Sequence, residues 1–337
     1  MRRDWTTEIL DLKPKRLALP RGRHRHGWRV FHRTSLGTAV LGDSKSFLAD
    51  EGLKSLHGKF QLIFTSPPFP LRTKKKYGNL RGDEYLEWLS GFGALFKQWL
   101  APNGSIVIEI GNAWQPGTPT MSTLPTRALL RIQEDSDLHL CQEFICHNPA
   151  RLPTPAAWVT VNRIRVKDSF TKIWWLSPST HPKADNRNVL QEYSNDMKRL
   201  LRSGKYTAGR RPSEHTIGAK SFLVEHEGAI PPSVLSIANT ASSDPYQQYC
   251  REHGLVPHPA RMPRALAEFF IKFLTSPGDL VLDPFAGSNT TGAAAESLGR
   301  RWLSIEATSE YLEGSKGRFR KRAVKGLRNS KASRTAN

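Results

Sequence analysis

Apolar residues fall along this chain in two different patterns, and the patterns alternate. Between residues 83 and 100, Tyr85, Trp88, Leu89, Phe92, Phe96 and Trp99 lie three or four apart, the spacing that lines one face of a helix. Leu266, Phe269, Phe270, Phe273 and Leu274 repeat that spacing, opened by Pro263 and closed by Pro277-Gly278, residue types that start and stop helices. A further helix is predicted over 290–298. Short, mostly apolar runs at 62–64, 105–110, 173–176, 280–283 and 302–306 read instead as buried strands. Strands alternating with helices imply an α/β fold on a doubly wound, mostly parallel sheet.

The alternation is lost between 177 and 257, where Pro, Gly, Ser and Asn mix with basic residues. This stretch reads as an inserted recognition region, leaving 31–176 and 258–322 as the two halves of the sheet domain. Residues 1–30, rich in Pro, Arg and His, are expected to form an extended basic arm, and 323–337 a basic tail. No run approaches the ~18 apolar residues of a membrane span, and the Arg-rich start lacks the apolar stretch of a signal peptide.

Composition changes the picture mainly through charge. A hydrophobic content of 38%, with nine Trp and fifteen Phe, marks a folded globular chain. Fifty Lys and Arg against thirty Asp and Glu give a net charge of +20, which attracts a polyanion and makes the attraction salt-sensitive. Nucleic acid is the implied partner. The charge is also clustered: residues 13–33 hold eight cations and no acid, and residues 316–334 hold nine and no acid. Arg72, Lys74, Lys75 and Lys76 form another group, expected to contact nucleic-acid phosphates. Three cysteines, Cys141, Cys146 and Cys250, are too few for a disulfide scaffold and fit a reducing cytoplasm. His139, Cys141, Cys146 and His147 match no common zinc spacing, so no metal is expected.

Two short motifs carry the chemistry. The first, Asp-Pro-Phe-Ala-Gly-Ser-Asn-Thr-Thr-Gly at 283–292, follows a predicted strand and opens a helix, and Glu306 ends the next strand nineteen residues after Gly287. A tight glycine turn with a carboxylate on the following strand suits a nucleoside cofactor, the acid meeting the ribose hydroxyls. Gly287, Asn289 and Gly292 take the three positions that glycine fills in a dinucleotide site. The Asn289 side chain is expected to crowd the place where a pyrophosphate would approach, which favours a cofactor without one. S-adenosylmethionine is such a ligand. The second motif, Thr65-Ser-Pro-Pro-Phe69, follows the apolar run at 62–64. Alone it reads as a strand stop, because proline cannot continue a ladder.

Together the motifs resemble those of the amino-methylating DNA methyltransferases. Residues 283–292 are similar to the methyl-donor motif of that family, and residues 66–69 to its catalytic Ser/Asp/Asn-Pro-Pro-aromatic tetrapeptide. The catalytic motif precedes the donor motif by more than two hundred residues, as in the permuted β group. The resemblance implies the S-adenosylmethionine-dependent methyltransferase fold. It further implies a donor site drawing on Asp43, Thr65, Asp283, Phe285, Ala286, Gly287, Ser288, Asn289, Thr290 and Glu306. His258, Pro259, Ala260, Arg261 and Pro263 lead into the helix that forms part of the methionine pocket in that group, and Asp43 matches a residue near the adenine.

By the same resemblance, Ser66 and the Pro67 carbonyl accept hydrogen bonds from an exocyclic amine, Pro67 and Pro68 hold the backbone, and Phe69 stacks on the base. A base within a duplex must be flipped to reach them. Serine at position 66 usually accompanies cytosine N4 as the target. Cytosine C5 is disfavoured, since its nucleophilic cysteine typically follows proline and these follow Leu140, Ile145 and Tyr249. The function implied is a site-specific DNA cytosine-N4 methyltransferase in the prokaryotic cytoplasm, either the protective partner of a cognate restriction endonuclease that acts on the same site without direct binding or a solitary modification enzyme. Adenine-N6 methylation on the same scaffold, an RNA amino-methyltransferase and a catalytically silent DNA-binding protein stay open as alternatives.

Overall fold

A computed structural model of the chain describes residues 17, 19, 27–69, 82–218, 221–240 and 244–320. Within them one nine-stranded sheet organises the molecule. Its strands are β1 (Arg29–Arg33), β2 (Gly37–Leu41), β3 (Phe60–Thr65), β4 (Leu100–Gly111), β5 (His139–His147), β6 (Phe170–Ser177), β9 (Val234–Ser236), β10 (Leu280–Asp283) and β11 (Arg301–Glu306). They run in the order β1-β2-β11-β10-β3-β4-β6-β5-β9. A separate ribbon pairs β7 (Gly209–Arg210) with β8 (Thr216–Ile217).

The five central strands, β2, β11, β10, β3 and β4, are parallel throughout, so the expected doubly wound sheet is present at the core of the domain. Antiparallel pairing is confined to the flanks: β1 runs against β2, and β6 runs against both β4 and β5. Because β6 opposes both neighbours, β5 points the same way as β4, and β9 is parallel to β5. The carboxyl ends of β2, β3, β4, β5, β9, β10 and β11 therefore share one rim, where ligands of open α/β sheets bind.

Burial explains why the apolar runs read as strands. Every residue of β3 and of β10 is buried, as expected where helices cover both faces. On one face, Ile63 packs into a cluster with Tyr85, Phe92, Phe96 and Trp99 of α2 (Gly82–Trp99) and with Leu129 and Ile132 of α3 (Leu124–Ser136). On the other, its neighbours Leu62 and Phe64 pack with Leu266, Phe270 and Leu274 of α6 (Arg264–Leu274), and Ala294 and Ala295 of α7 (Thr290–Ser297).

The sheet begins inside the stretch that composition assigned to the arm. Trp28 is fully buried and its indole N–H donates to Asp50 Oδ2 at 2.8 Å. The 177–257 stretch likewise contributes β9 to the sheet and α5 (Pro245–Glu252), which buries Tyr246, Tyr249 and Cys250. By contrast α4 (Asn195–Ser203), in the same stretch, has no fully buried residue. Two short helices complete the account: α1 (Ser44–Leu48) and α8 (Ser309–Ser315).

Candidate active site

A cavity of about 550 Å³ opens at the rim formed by the strand ends. Its floor is the turn between β10 and α7. There Gly287 takes a left-handed backbone (φ 49°), and a side-chain carbon on it would come within 3.1 Å of the His258 imidazole, so only glycine fits without displacement. The Gly287 N–H donates to Glu306 Oε2 at 2.8 Å, and the Thr308 N–H donates to Oε1 at 2.8 Å. Glu306 thus holds the turn closed while still lining the cavity, and burial raises its pKa above the ordinary carboxylate value.

Beneath the turn lies Asp283, buried and cavity-lining. Its Oδ1 accepts from the Thr65 hydroxyl at 2.8 Å and from the Phe285 N–H at 3.1 Å. Burial nevertheless dominates and lifts its pKa to about 6. The Thr65 bond ties the end of β3 to the end of β10 across 218 residues of sequence. Phe285 crosses the same seam in the other direction, its ring 5.5 Å from Trp88 and 5.1 Å edge-on from Phe92 of α2.

Ser66, Pro67, Pro68 and Phe69 line the opposite wall. Three residues on two elements brace this loop. Tyr85 of α2 donates its hydroxyl to the Pro68 carbonyl at 3.2 Å. Gly111, the last residue of β4, gives Phe69 its place: a carbon added there would lie 2.6 Å from the ring. Glu109, two residues earlier on β4, accepts from the Thr171 hydroxyl at 3.0 Å and from the Ser66 hydroxyl. Burial raises the Glu109 pKa, outweighing those hydrogen bonds and the Arg151 charge.

Most of the residues singled out from sequence come together here. Asp43, His258, Ala260, Asp283, Phe285, Ala286, Gly287, Ser288, Thr290 and Glu306 all line the cavity with residues 66–69. Thr65, Pro259, Arg261, Pro263 and Asn289 do not. Thr65 is fully buried behind the wall, Pro263 caps α6, and Arg261 faces Asp244 at 4.0 Å.

Asn289 requires a correction. It is left-handed (φ 55°), but its side chain turns inward, accepting from the Gly292 N–H at 3.2 Å and the Ser304 hydroxyl at 2.7 Å. It is a helix cap and does not crowd the space above the turn, so the argument against a pyrophosphate loses that support. Arg72, Lys74, Lys75 and Lys76 lie outside the described residues.

Sequence reasoning missed Glu109, Tyr85 and Trp88 as site residues. Glu109 had one readable signal, a lone acid inside the apolar run 105–110. Among the described residues no group of His, Cys, Asp and Glu is placed to hold a metal. No helix among them is long and apolar enough to cross a membrane.

Comparison with known proteins matches these features to a family. Residues 60–317 match the N6/N4 DNA methylase family, described as DNA methylase. The Type II methyltransferase M.PvuII of Proteus hauseri is 42% identical over 295 residues, covering 87% of this chain and 86% of the relative. A solved structure of PvuII DNA methyltransferase, described as cytosine-N4-specific, superposes with a TM-score of 0.69 at 36% identity, over 86% of this chain and 89% of that one. A more local match, 52% identical over 56 residues, is to the DNA adenine methyltransferase YhdJ of Escherichia coli K12, covering 17% of this chain and 19% of the relative. With the match spanning both cavity walls and most of the sheet, the chain belongs to the N6/N4 DNA methylase family.

Proposed function

We propose that this protein transfers a methyl group from S-adenosylmethionine to the exocyclic N4 amine of a cytosine flipped out of duplex DNA. The observation that carries the reading is the shared cavity, with the donor-type turn on one wall and the 66–69 loop on the other. Likeness to a cytosine-N4-specific enzyme over most of the chain supports the choice of base.

The cavity suits the donor. Its volume of about 550 Å³ lies in the range of small-molecule sites. Asp283 and Glu306 set two carboxylates against a ligand carrying a sulfonium and an ammonium group, and a cation beside Asp283 offsets the burial that raises its pKa. Glu306 has acceptor capacity beyond its two backbone bonds for the ribose hydroxyls. Bound there, S-adenosylmethionine supplies an electrophilic methyl carbon, and alignment with the amine can provide much of the acceleration.

On the target side, the exocyclic amine is a weak nucleophile because its lone pair is delocalised into the ring. Ser66 directs its hydroxyl hydrogen to Glu109 and so keeps its lone pairs for an amine hydrogen. The Pro67 carbonyl accepts the second, and Phe69 stacks on the base. These contacts favour a tetrahedral, nucleophilic nitrogen. The proton lost from that nitrogen passes by way of Ser66 to Glu109, whose raised pKa makes it a competent acceptor. Residues 177–257 read the sequence, and Arg72, Lys74, Lys75 and Lys76 contact phosphates. A restriction endonuclease acting on the same site is the proposed biological partner.

The test is incubation with radiolabelled S-adenosylmethionine and unmodified duplex DNA, followed by digestion to nucleosides and chromatography. Label in N4-methylcytosine is expected. Label in N6-methyladenine would keep the donor reading and overturn the target, and absence of label with retained DNA binding would leave a silent binder.

A further inference from the structure

The connection from β5 to β6, residues 148–169, leaves the same rim as Ser66 and carries a patch that folding does not explain. Val166 is 87% exposed, Leu152 75%, Val161 73% and Ile164 59%. Single exposed aliphatic residues are commonplace, but four within fifteen positions of one loop are not a scattered set. The same loop is purely cationic from 149 to 167, with Arg151, Arg163, Arg165 and Lys167 and no Asp or Glu. Arg163 and Lys167 flank the two aliphatic residues, giving the order Arg-Ile-Arg-Val-Lys over 163–167. Alternating cations and exposed apolar groups suit a surface whose backbone is anionic and whose interior is a stack of apolar rings.

The loop is held for this purpose and is not a loose excursion. The Arg165 guanidinium lies over the Trp114 ring, 3.1 Å from its centroid, anchoring the loop to the β4–α3 connection. Arg163 adopts a left-handed backbone (φ 53°), and the next residue's N–H is fixed on the Trp158 carbonyl at 3.0 Å. Lys167 folds back onto the carbonyls of Pro149 and Arg151 at 3.3 and 3.1 Å. Asp168 accepts from the Asn112 amide at 2.8 Å, and Asn112 adjoins Gly111, the residue that seats Phe69. Chain geometry keeps Val166 within ~7 Å of Asp168. The aliphatic tip therefore lies close along the chain to the residues that seat the target pocket.

We propose that Ile164 and Val166 enter the duplex beside the target site and fill the gap left by the everted cytosine. The inference rests on the reading that the pocket accepts a flipped base. Removing a base from the stack breaks its pairing and stacking and leaves apolar ring faces open to water. Aliphatic wedges inserted between base steps are an established way to offset such unstacking. Arg163 and Arg151 meet the phosphates on either side, while Arg165 stays on Trp114.

The experiment compares Ile164→Ser/Val166→Ser with the unaltered protein in single-turnover methyl transfer. The substrates are a duplex containing the methylation site, mapped beforehand on plasmid DNA by the transferred label, and the same duplex with the target cytosine mispaired. Both side chains are exposed, so folding is not at stake. The double variant is expected to lose about tenfold or more on the paired duplex and to recover to within about threefold of the unaltered protein on the mispaired one. Equal rates on the paired duplex, or equal loss on both duplexes, would overturn the wedge. Loss of a dimer in gel filtration with unchanged rates would assign the patch to self-association and overturn it too. If the unaltered protein labels no DNA, the proposed function fails, and the wedge with it.

Discussion

At the donor turn most hydrogen bonds stay close in sequence: Phe285 to Asp283, Gly292 to Asn289, Ser304 to Asn289, and Gly287 to Glu306 nineteen residues away, with Thr65 and Ser44 the distant exceptions. At the target loop the supports come from other elements altogether, Tyr85 on α2 and both Glu109 and Gly111 on β4. One wall of the cavity is built largely from backbone bonds within a single segment, residues 283–306. The other is two prolines and a ring whose working geometry is lent by neighbours. The difference predicts a division of labour, in which damage to the turn weakens donor binding and damage to the loop lowers turnover.

The largest expected effect tests that division at the loop. Ser66→Ala should lower kcat by about 10²–10⁴-fold, the range of a positioned group acting on a proton in the transition state, while DNA affinity by gel retardation changes little. Parallel loss of both would erase the distinction between the walls. Next, Glu109→Gln should lower turnover by about ten- to a hundredfold and also change its pH dependence. Burial raises the Glu109 pKa, so the ionised acceptor exists above that raised value and activity falls as pH drops through it. The variant should lack this acid limb in a kcat profile; an unchanged limb would assign it to another group.

On the donor wall, Glu306→Ala should weaken S-adenosylmethionine binding by about ten- to a hundredfold in calorimetry, the loss of hydrogen bonds to a charged acceptor being ~1.5–3 kcal/mol. Unchanged donor affinity would refute the ribose role. The smallest effect concerns Asp283, whose pKa is lifted to about 6. In the empty protein its contribution to stability is present at low pH and is lost as pH rises through about 6, because the folded state holds the proton more tightly. A cationic donor favours the ionised form, so donor affinity should rise between pH 5 and 7 by about five- to tenfold. The donor-induced rise in Tm should grow with it, and a flat response would remove Asp283 from the cation's surroundings.

The same contrast accounts for what the sequence disclosed. The donor turn was legible because its logic is local: a strand ending at Asp283, a glycine with positive φ, and an acid on the next strand all fall in one short segment. The amphipathic faces of α2 and α6 were legible for the same reason. Asn289 was placed in the right backbone conformation but given the wrong task, because whether a side chain turns toward a ligand or toward Ser304 is decided by packing. Glu109 was overlooked, since nothing in residues 105–110 shows that β4 lies beside β3 with this acid near Ser66. The edge pairing was hidden similarly, because β9 has only three residues and gains its place by lying along β5.

The Thr65–Asp283 hydrogen bond has a consequence for how the protein comes into being. Its partners are 218 residues apart, and they stand on adjacent strands that cannot pair until the second has been made. At ~5–20 residues per second, the target loop leaves the ribosome roughly 11 to 44 seconds before the donor strand does. A nascent or truncated chain ending before Asp283 carries the loop without the donor turn. Competence for methyl transfer is therefore acquired only once the donor strand has been made.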